Sequence, residues 1–250
     1  MNLTRSWRPV LWLLTTLALI GGALVATSPA ARAADEPTLT VQSTGLTVGG
    51  KVAISGTGWT VGDGSSGSTI AVKIDDGAYS HIGSGPHANK TVWAIIQAGT
   101  DGSFSTTITL PTAANSTPAF APGTHSLRFL TGSLKAGDVI RSMSSGNLAV
   151  AKAASTSSLK LNKTKIKKSK KAVATVQVKS VATPGPTGAV KVYNGKKVIK
   201  SATLKASAKG TIKITLPKLK KGTHKIKATY VGNGVAKTST SKVIKLKVTK

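Results

Sequence analysis

The sequence predicts an all-β protein, two antiparallel two-sheet sandwiches in tandem behind an N-terminal export signal. Three observations predict it. After residue 33 the apolar residues recur with period two over short runs, with Gly, Pro and Asn turn signals between the runs. No stretch of that region carries helical periodicity. One pair of motifs occurs in both halves of the chain, so a single structural plan is used twice.

The first element is the leader. In "MNLTRSWRPVLWLLTTLALIGGALVATSPAARAADEP", Arg5 and Arg8 precede an apolar run from Val10 to Val25, and Ala31-Arg32-Ala33 supplies small residues for cleavage. This is the pattern of a secretory signal peptide over 1–33. No later run is apolar for long enough to cross a bilayer as a helix, and the last residues, "KVIKLKVTK", carry no sorting motif. The expectation is an exported protein without a transmembrane segment in its mature form and without a covalent anchor. With no cysteine, disulfides, thiolate catalysis and Cys-ligated metals drop out together, and each domain must rely on its hydrophobic core.

Residues 34–150 form the first expected sandwich. Its strands are "TLTVQ", "KVAISG", "STIAVKID", "TVWAIIQ", "SFSTTITL", "THSLRFLTG", "VIRSM" and "NLAV", with a longer connection from Pro111 to Pro122. Residues 151–156, small and polar, read as a linker, and 157–250 as the second sandwich. There Ile212, Ile214 and Leu216 alternate with Lys213 and Thr215. Ile226, Ala228 and Tyr230 alternate with Lys225, Lys227 and Thr229, and Ile244, Leu246 and Val248 with Lys245, Lys247 and Thr249. The repeated motifs are Gly102 to Pro111 against Gly210 to Pro217, each followed by Gly-Thr-His, ending at His125 and His224.

Within the second half, Pro186-Thr187-Gly188, Val190, Val192-Tyr193 and Gly195 are followed by Ala202-Thr203-Leu204 and Gly210-Thr211-Ile212. Then come Ile214-Thr215-Leu216-Pro217, Gly222-Thr223-His224, Ile226, Ala228-Thr229-Tyr230 and Gly232. On these motifs, residues from about 156 to 249 resemble a bacterial immunoglobulin-like (Ig-like) repeat domain of secreted and surface proteins. Residues 36–150 are similar, through "GSTIAVKIDDGAYS" and "APGTHSLRFLTGSLKAGDVIRS", to an Ig-like module of secreted actinobacterial proteins. The resemblance implies two Ig-like sandwiches and no activity. The chain departs from the repeat pattern at Asn233, where an Asp is usual, and in its surface, which is lysine.

Catalysis finds no foothold in the residues. There is no Gly-x-Ser-x-Gly turn between strand and helix, and the second half holds one His and no carboxylate to orient it. His81 and His87 lie in a Gly/Pro-rich loop, and Asp75-Asp76-Gly77 reads as a tight turn. His125 and His224 recur at one position of the repeat, which suits strand geometry better than chemistry. Nothing calls for a cofactor. Trp59 and Tyr79 are candidate sugar-stacking residues of the first half, whereas Trp93 sits in a run suited to core.

Charge separates the halves. Of the +28 formal charge, residues 151–250 hold 26 lysines with no arginine and no acid, while all seven acids lie before them. Such a coat repels itself, and solubility alone asks for a magnitude of only about 2–8 in a small domain. A polyanion is the direct counterpart. Lysine, a flexible point charge, suits diffuse attraction better than base reading, so no specific nucleic acid is implied. Outward Lys225, Lys227, Lys245 and Lys247 should form one patch, extended by Lys191. A second cluster, Lys163, Lys165, Lys167, Lys168, Lys170 and Lys171, lies at the N-terminal edge and also guards that edge against strand pairing. The function expected is a secreted, cell-wall-associated protein that holds an anionic wall polymer, teichoic acid or similar. A spacer or adhesion module with a protein partner is the alternative, with sugar binding by the first half as a third.

Overall fold

Strands form where β-branched and aromatic residues alternate with small polar ones, because such side chains fill one face of a pleated surface. The computed structural model describes residues 36–84, 87–183 and 185–250; the expected signal peptide lies outside them. In the first half the strands are β1 (Thr40–Val41), β2 (Lys51–Gly56), β3 (Thr69–Ile74), β4 (Ser80–His81), β5 (Val92–Gln97) and β6 (Phe104–Thr109). They continue with β7 (Ser116–Thr117), β8 (Gly123–His125), β9 (Leu127–Leu130), β10 (Ser142–Ser144) and β11 (Leu148–Val150). One sheet has the order β1-β2-β6 and the other β10-β9-β3-β5, with β11-β8 and β4-β7 as short pairs. Ile54, Phe104 and Ile108 of the first sheet meet Ile70, Val72, Ile74 and Phe129 of the second in one buried core, which Trp59 and Phe120 complete.

Two details differ from the sequence expectation. The run "THSLRFLTG" is not one strand, because Asp75 Oδ1 accepts the Ser126 N–H at 2.6 Å and breaks the ladder there. Consequently β8 pairs with β11 while β9 pairs with β3. The long connection contains β7, which pairs with β4. Asp75–Gly77 is a tight 3-10 turn, as the residues suggested, and Asp75 and Asp76 occupy positive φ of 45° and 55°.

The second half contains β12 (Ser155–Leu161), β13 (Lys165–Lys167), β14 (Val173–Ser180), β15 (Gly188–Asn194), β16 (Lys197–Leu204), β17 (Thr211–Thr215), β18 (Gly222–Tyr230), β19 (Ser239–Thr240) and β20 (Ile244–Thr249). Sheet β12-β14-β17 faces sheet β13-β20-β18-β15-β16, with β19 on β18. Ala174, Val176, Val178, Val190, Val192, Ile226, Ala228, Tyr230 and Leu246 fill the space between. Tyr230 is wholly buried, and its hydroxyl donates to the Thr187 carbonyl at 2.8 Å. Among the described residues the named strands pair antiparallel except β13 with β20, which is parallel, as is the isolated bridge between Ala153 and Ala236. Among the described residues no helix is long and apolar enough to cross a membrane.

The internal repeat has a structural cause at two positions. Gly102 and Gly210 both adopt left-handed φ, +77° and +79°, before their strands. Their carbonyls accept the N–H of Trp59 at 3.0 Å and of Val178 at 2.7 Å, and a Cβ on Gly210 would run into the Val178 carbonyl oxygen. His125 and His224 each place Nε2 on a carbonyl four residues earlier, Ala121 at 2.9 Å and Lys220 at 2.8 Å. Their Nδ1 atoms meet different partners, Asp75 in the first half and Asn194 in the second. The amide replaces the acid in the half that has no acids.

Residues 151–154 are hydrogen-bonded on both sides. Ala151 donates to Leu46 and accepts from Val48, while Ala153 donates to Val235 and accepts from Lys237. Ala153 is fully buried.

Among the described residues three carboxylates are shifted, and all lie in the first half. The Arg128 guanidinium bonded to Asp76 holds that carboxyl below its ordinary value of 3.8. Bonds from the Ser65 hydroxyl and N–H lower Asp63, and bonds from the Ser103 N–H and hydroxyl lower Asp101. Because the folded values are depressed, whatever these groups add to stability is present above 3.8 and is lost as pH falls through the folded values. The second half has no side-chain carboxylate to protonate. Acidification below about pH 4 is therefore expected to loosen the first sandwich ahead of the second. Emission from Trp59 and Trp93 should change before the tyrosine signal of Tyr193 and Tyr230. Coincident transitions would show instead that the two halves unfold together.

Candidate anion-binding face

Period-two alternation decides which lysines leave the second sandwich together. On β18 the buried set Ile226, Ala228 and Tyr230 turns Lys225 and Lys227 outward; on β20 buried Leu246 and Val248 do the same for Lys245 and Lys247. Lys191 emerges between buried Val190 and Val192 of β15. Register places Lys225 directly opposite Lys245, Thr223 opposite Lys247, Tyr193 opposite Lys227 and Thr229 opposite Lys191. The five lysines expected to share a patch share one face of the larger sheet.

The second expected cluster divides. Lys165 and Lys167 flank buried Ile166 on β13 and join the same face, with Lys165 opposite Lys247. Lys163, Lys170 and Lys171 line, with Lys165 and Lys167, a cleft of about 410 Å³ at that edge. Lys168 is exposed just beyond β13, where its N–H donates to the Thr249 carbonyl. Sequence separated the two clusters because β13 and β20 lie far apart along the chain, and no local signal announces their parallel pairing.

The opposite sheet is less charged. Its outward positions include Thr156, Ser158, Thr175, Gln177 and Thr211, with Lys160, Lys179 and Lys213 among them. Seven lysines thus lie on one face and three on the other. No carboxylate side chain exists in this half to neutralise any of them. Directly opposed like charges destabilise a strand pair by a few tenths to about 1 kcal/mol each. Lys225–Lys245 and Lys165–Lys247 are two such pairs. One ammonium has a local partner, Lys227 Nζ, which lies 5.5 Å from the centre of the Tyr193 ring.

The stacking candidates are corrected. Trp59 is fully buried, its indole N–H donating to the Thr38 carbonyl at 2.7 Å and its ring edge-on to Phe104. Tyr79 is partly buried, packed edge-on against Phe120 and His125. Burial, then the Asp75 charge, pushes its hydroxyl upward. A sugar platform needs free ring faces on one surface, and this pair is engaged with core side chains. Trp93 is buried as expected, its N–H on the Thr109 carbonyl. His81 stacks at a tilt on Trp93, with its Nδ1 buried and unpartnered among the described residues.

Solved structures that match the chain include the fibronectin(III)-like modules of Clostridium thermocellum CbhA, at 16% identity over 84% of this chain and 93% of that one, TM-score 0.30. The ectodomain (Ig1–Ig3) of mouse nectin-like molecule 4 aligns at 14% identity over 85% of this chain and 63% of its own, TM-score 0.31. The D0-D1 domain of intimin aligns at 13% over 84% and 97%, TM-score 0.28. No curated protein matches the chain in sequence. A family model does, and its description is the bacterial Ig-like domain (group 3). The match runs through β12 to β20, the strands that build the lysine face. Residues 159–249 of this chain therefore match the bacterial Ig-like domain (group 3).

Proposed function

We propose that the protein is exported, non-enzymatic and held at the cell surface by its second sandwich, whose lysine face binds an anionic envelope polymer of the teichoic-acid kind. The observation that carries the reading is the gathering of seven lysines on one sheet face in a half without a single acid. Self-repulsion of that size is relieved when a polyanion displaces the small counterions. The all-lysine composition supports attraction to charge density rather than to a base or sugar edge.

The test is retention of the mature protein on purified cell wall, with and without its teichoic acid, over a salt series. Retention is expected to fall log-linearly with salt, to disappear once the polymer is stripped, and to weaken when Lys225, Lys227, Lys245 and Lys247 become Gln. Salt-insensitive retention would move the site to the first sandwich.

One feature there favours a second reading, adhesion to a protein partner. Leu134, Val139 and Ile140 are exposed, Ile140 by 86%. Their loop is pinned by the buried carboxylate of Asp138, which accepts from the Ser68 hydroxyl at 2.6 Å and lies 4.0 Å from Arg141.

A further inference from the structure

We infer that the lysine face is a track, and that its ligand is a single flexible phosphodiester chain lying obliquely across the strands. The inference rests on the proposed polyanion binding and adds to it a path, a length and a ligand class.

The path follows from register. On β13 the outward lysines are Lys167 and Lys165, and Lys165 is level with Lys247 of β20. Two residues along β20 is Lys245, which is level with Lys225 of β18. Two residues along β18 is Lys227, level with Tyr193 of β15, and the next outward level holds Lys191. Each strand therefore contributes two adjacent outward positions, shifted by one level from strand to strand. Of the eight positions in this band, seven are lysine, and the eighth is Tyr193, which carries the Lys227 ammonium. The outward neighbours just off the band include Thr249, Thr223 and Thr229, with exposed Lys163, Ala189 and Val243 at its strand ends. On β16 the positions level with Lys191 and Tyr193 are Ser201 and Val198, so the band stops at β15.

The geometry points to the ligand. Levels along a strand lie about 7 Å apart and neighbouring strands about 4.8 Å apart, so the band is some 30 Å long and one strand pair wide. A rigid duplex or a broad anionic plane would draw on lysines off the band as well as on it. A chain with one negative charge per short repeat fits the band's width and can bend with the sheet. Of the threonines along its margins, Thr249 donates to the Ile166 carbonyl and Thr229 is bonded to Thr240, while the exposed Thr223 hydroxyl, level with Lys247, offers a hydrogen bond to a phosphate oxygen. The one aromatic ring in the band already carries an ammonium and gives bases no free platform, which leaves the phosphates as the recognised element.

The test uses the mature protein and glycerol-phosphate oligomers of graded length. Affinity is expected to rise steeply with length until the oligomer spans the band, and only slowly after that. Two variants of equal net charge decide the track. One replaces Lys165, Lys167, Lys191, Lys225, Lys227, Lys245 and Lys247 by Gln. The other replaces Lys160, Lys179, Lys200, Lys205, Lys213, Lys218 and Lys237, all exposed and off the band. The first should bind about a thousandfold more weakly at low salt, with the magnitude of its log–log salt slope smaller by about 5. The second should stay within about tenfold of the parent. Circular dichroism establishes that both fold, and relief of repulsion favours that outcome. Equal losses in the two variants would overturn the track and leave the polyanion reading standing. Failure of the parent protein to bind any oligomer length would overturn both.

Discussion

Replacing Trp59 by alanine is expected to lower the stability of the first sandwich by about 3–5 kcal/mol, the usual cost of emptying a large aromatic site. The side chain is fully buried, edge-on to Phe104, and its indole N–H reaches the Thr38 carbonyl. Alanine leaves a cavity and strands that carbonyl together. Trp59→Phe keeps most of the volume and loses only the donor, so its cost should be nearer 1–2 kcal/mol. Denaturant unfolding followed by circular dichroism, with Trp93 as the remaining emission probe, reads both variants. A loss below about 1 kcal/mol for Trp59→Ala would contradict the core role and reopen the surface one. Neither variant should change retention on a polyanion.

Charge reversal at Lys245 is expected to move stability and binding in opposite directions. The residue is opposite Lys225, so Lys245→Glu removes a like-charge pair and creates an unlike one on the same exposed rung. Stability of the second sandwich should rise by about 1 kcal/mol at low ionic strength and lose much of that gain in high salt. The same substitution places a negative charge in the middle of the lysine band. The salt slope for polyanion binding should fall by about 1–2 in magnitude. A variant more stable and equally well retained would show that this face takes no part in binding. A less stable variant would show that the opposed lysines are held apart well enough not to repel.

How much of this was legible in the residues varies from strand to strand. Ile226, Ala228 and Tyr230 were readable as inward and are fully buried, because period two needs only neighbours along the chain to be decoded. Residues 51–56, "KVAISG", coincide with β2 for the same reason. The break at Ser126 was not readable, since it depends on the carboxylate of Asp75, fifty-one positions away. Trp59 follows "SGTG", which resembles an exposed loop; its burial involves the Thr38 carbonyl and the Phe104 ring, both distant in sequence. The lysine patch was half legible for a related reason. Alternation gave the face of each lysine, while the joining of Lys165 and Lys167 to it required the parallel rung with β20.

That parallel rung has a mechanical consequence. Tension drawn through the chain from the residues before Lys165 to those after Thr249 pulls β13 and β20 past one another along their length. The hydrogen bonds between them, with the flanking Lys247 N–H to the Thr164 carbonyl and Lys168 N–H to the Thr249 carbonyl, then share the load at once instead of opening in turn. The joint is loaded in shear, the strong direction of a β-ladder, at the corner where Lys165 and Lys247 push each other apart. On the proposed reading, a polymer lying over that corner would screen the repulsion, and the bound sandwich would resist stretching better than the free one.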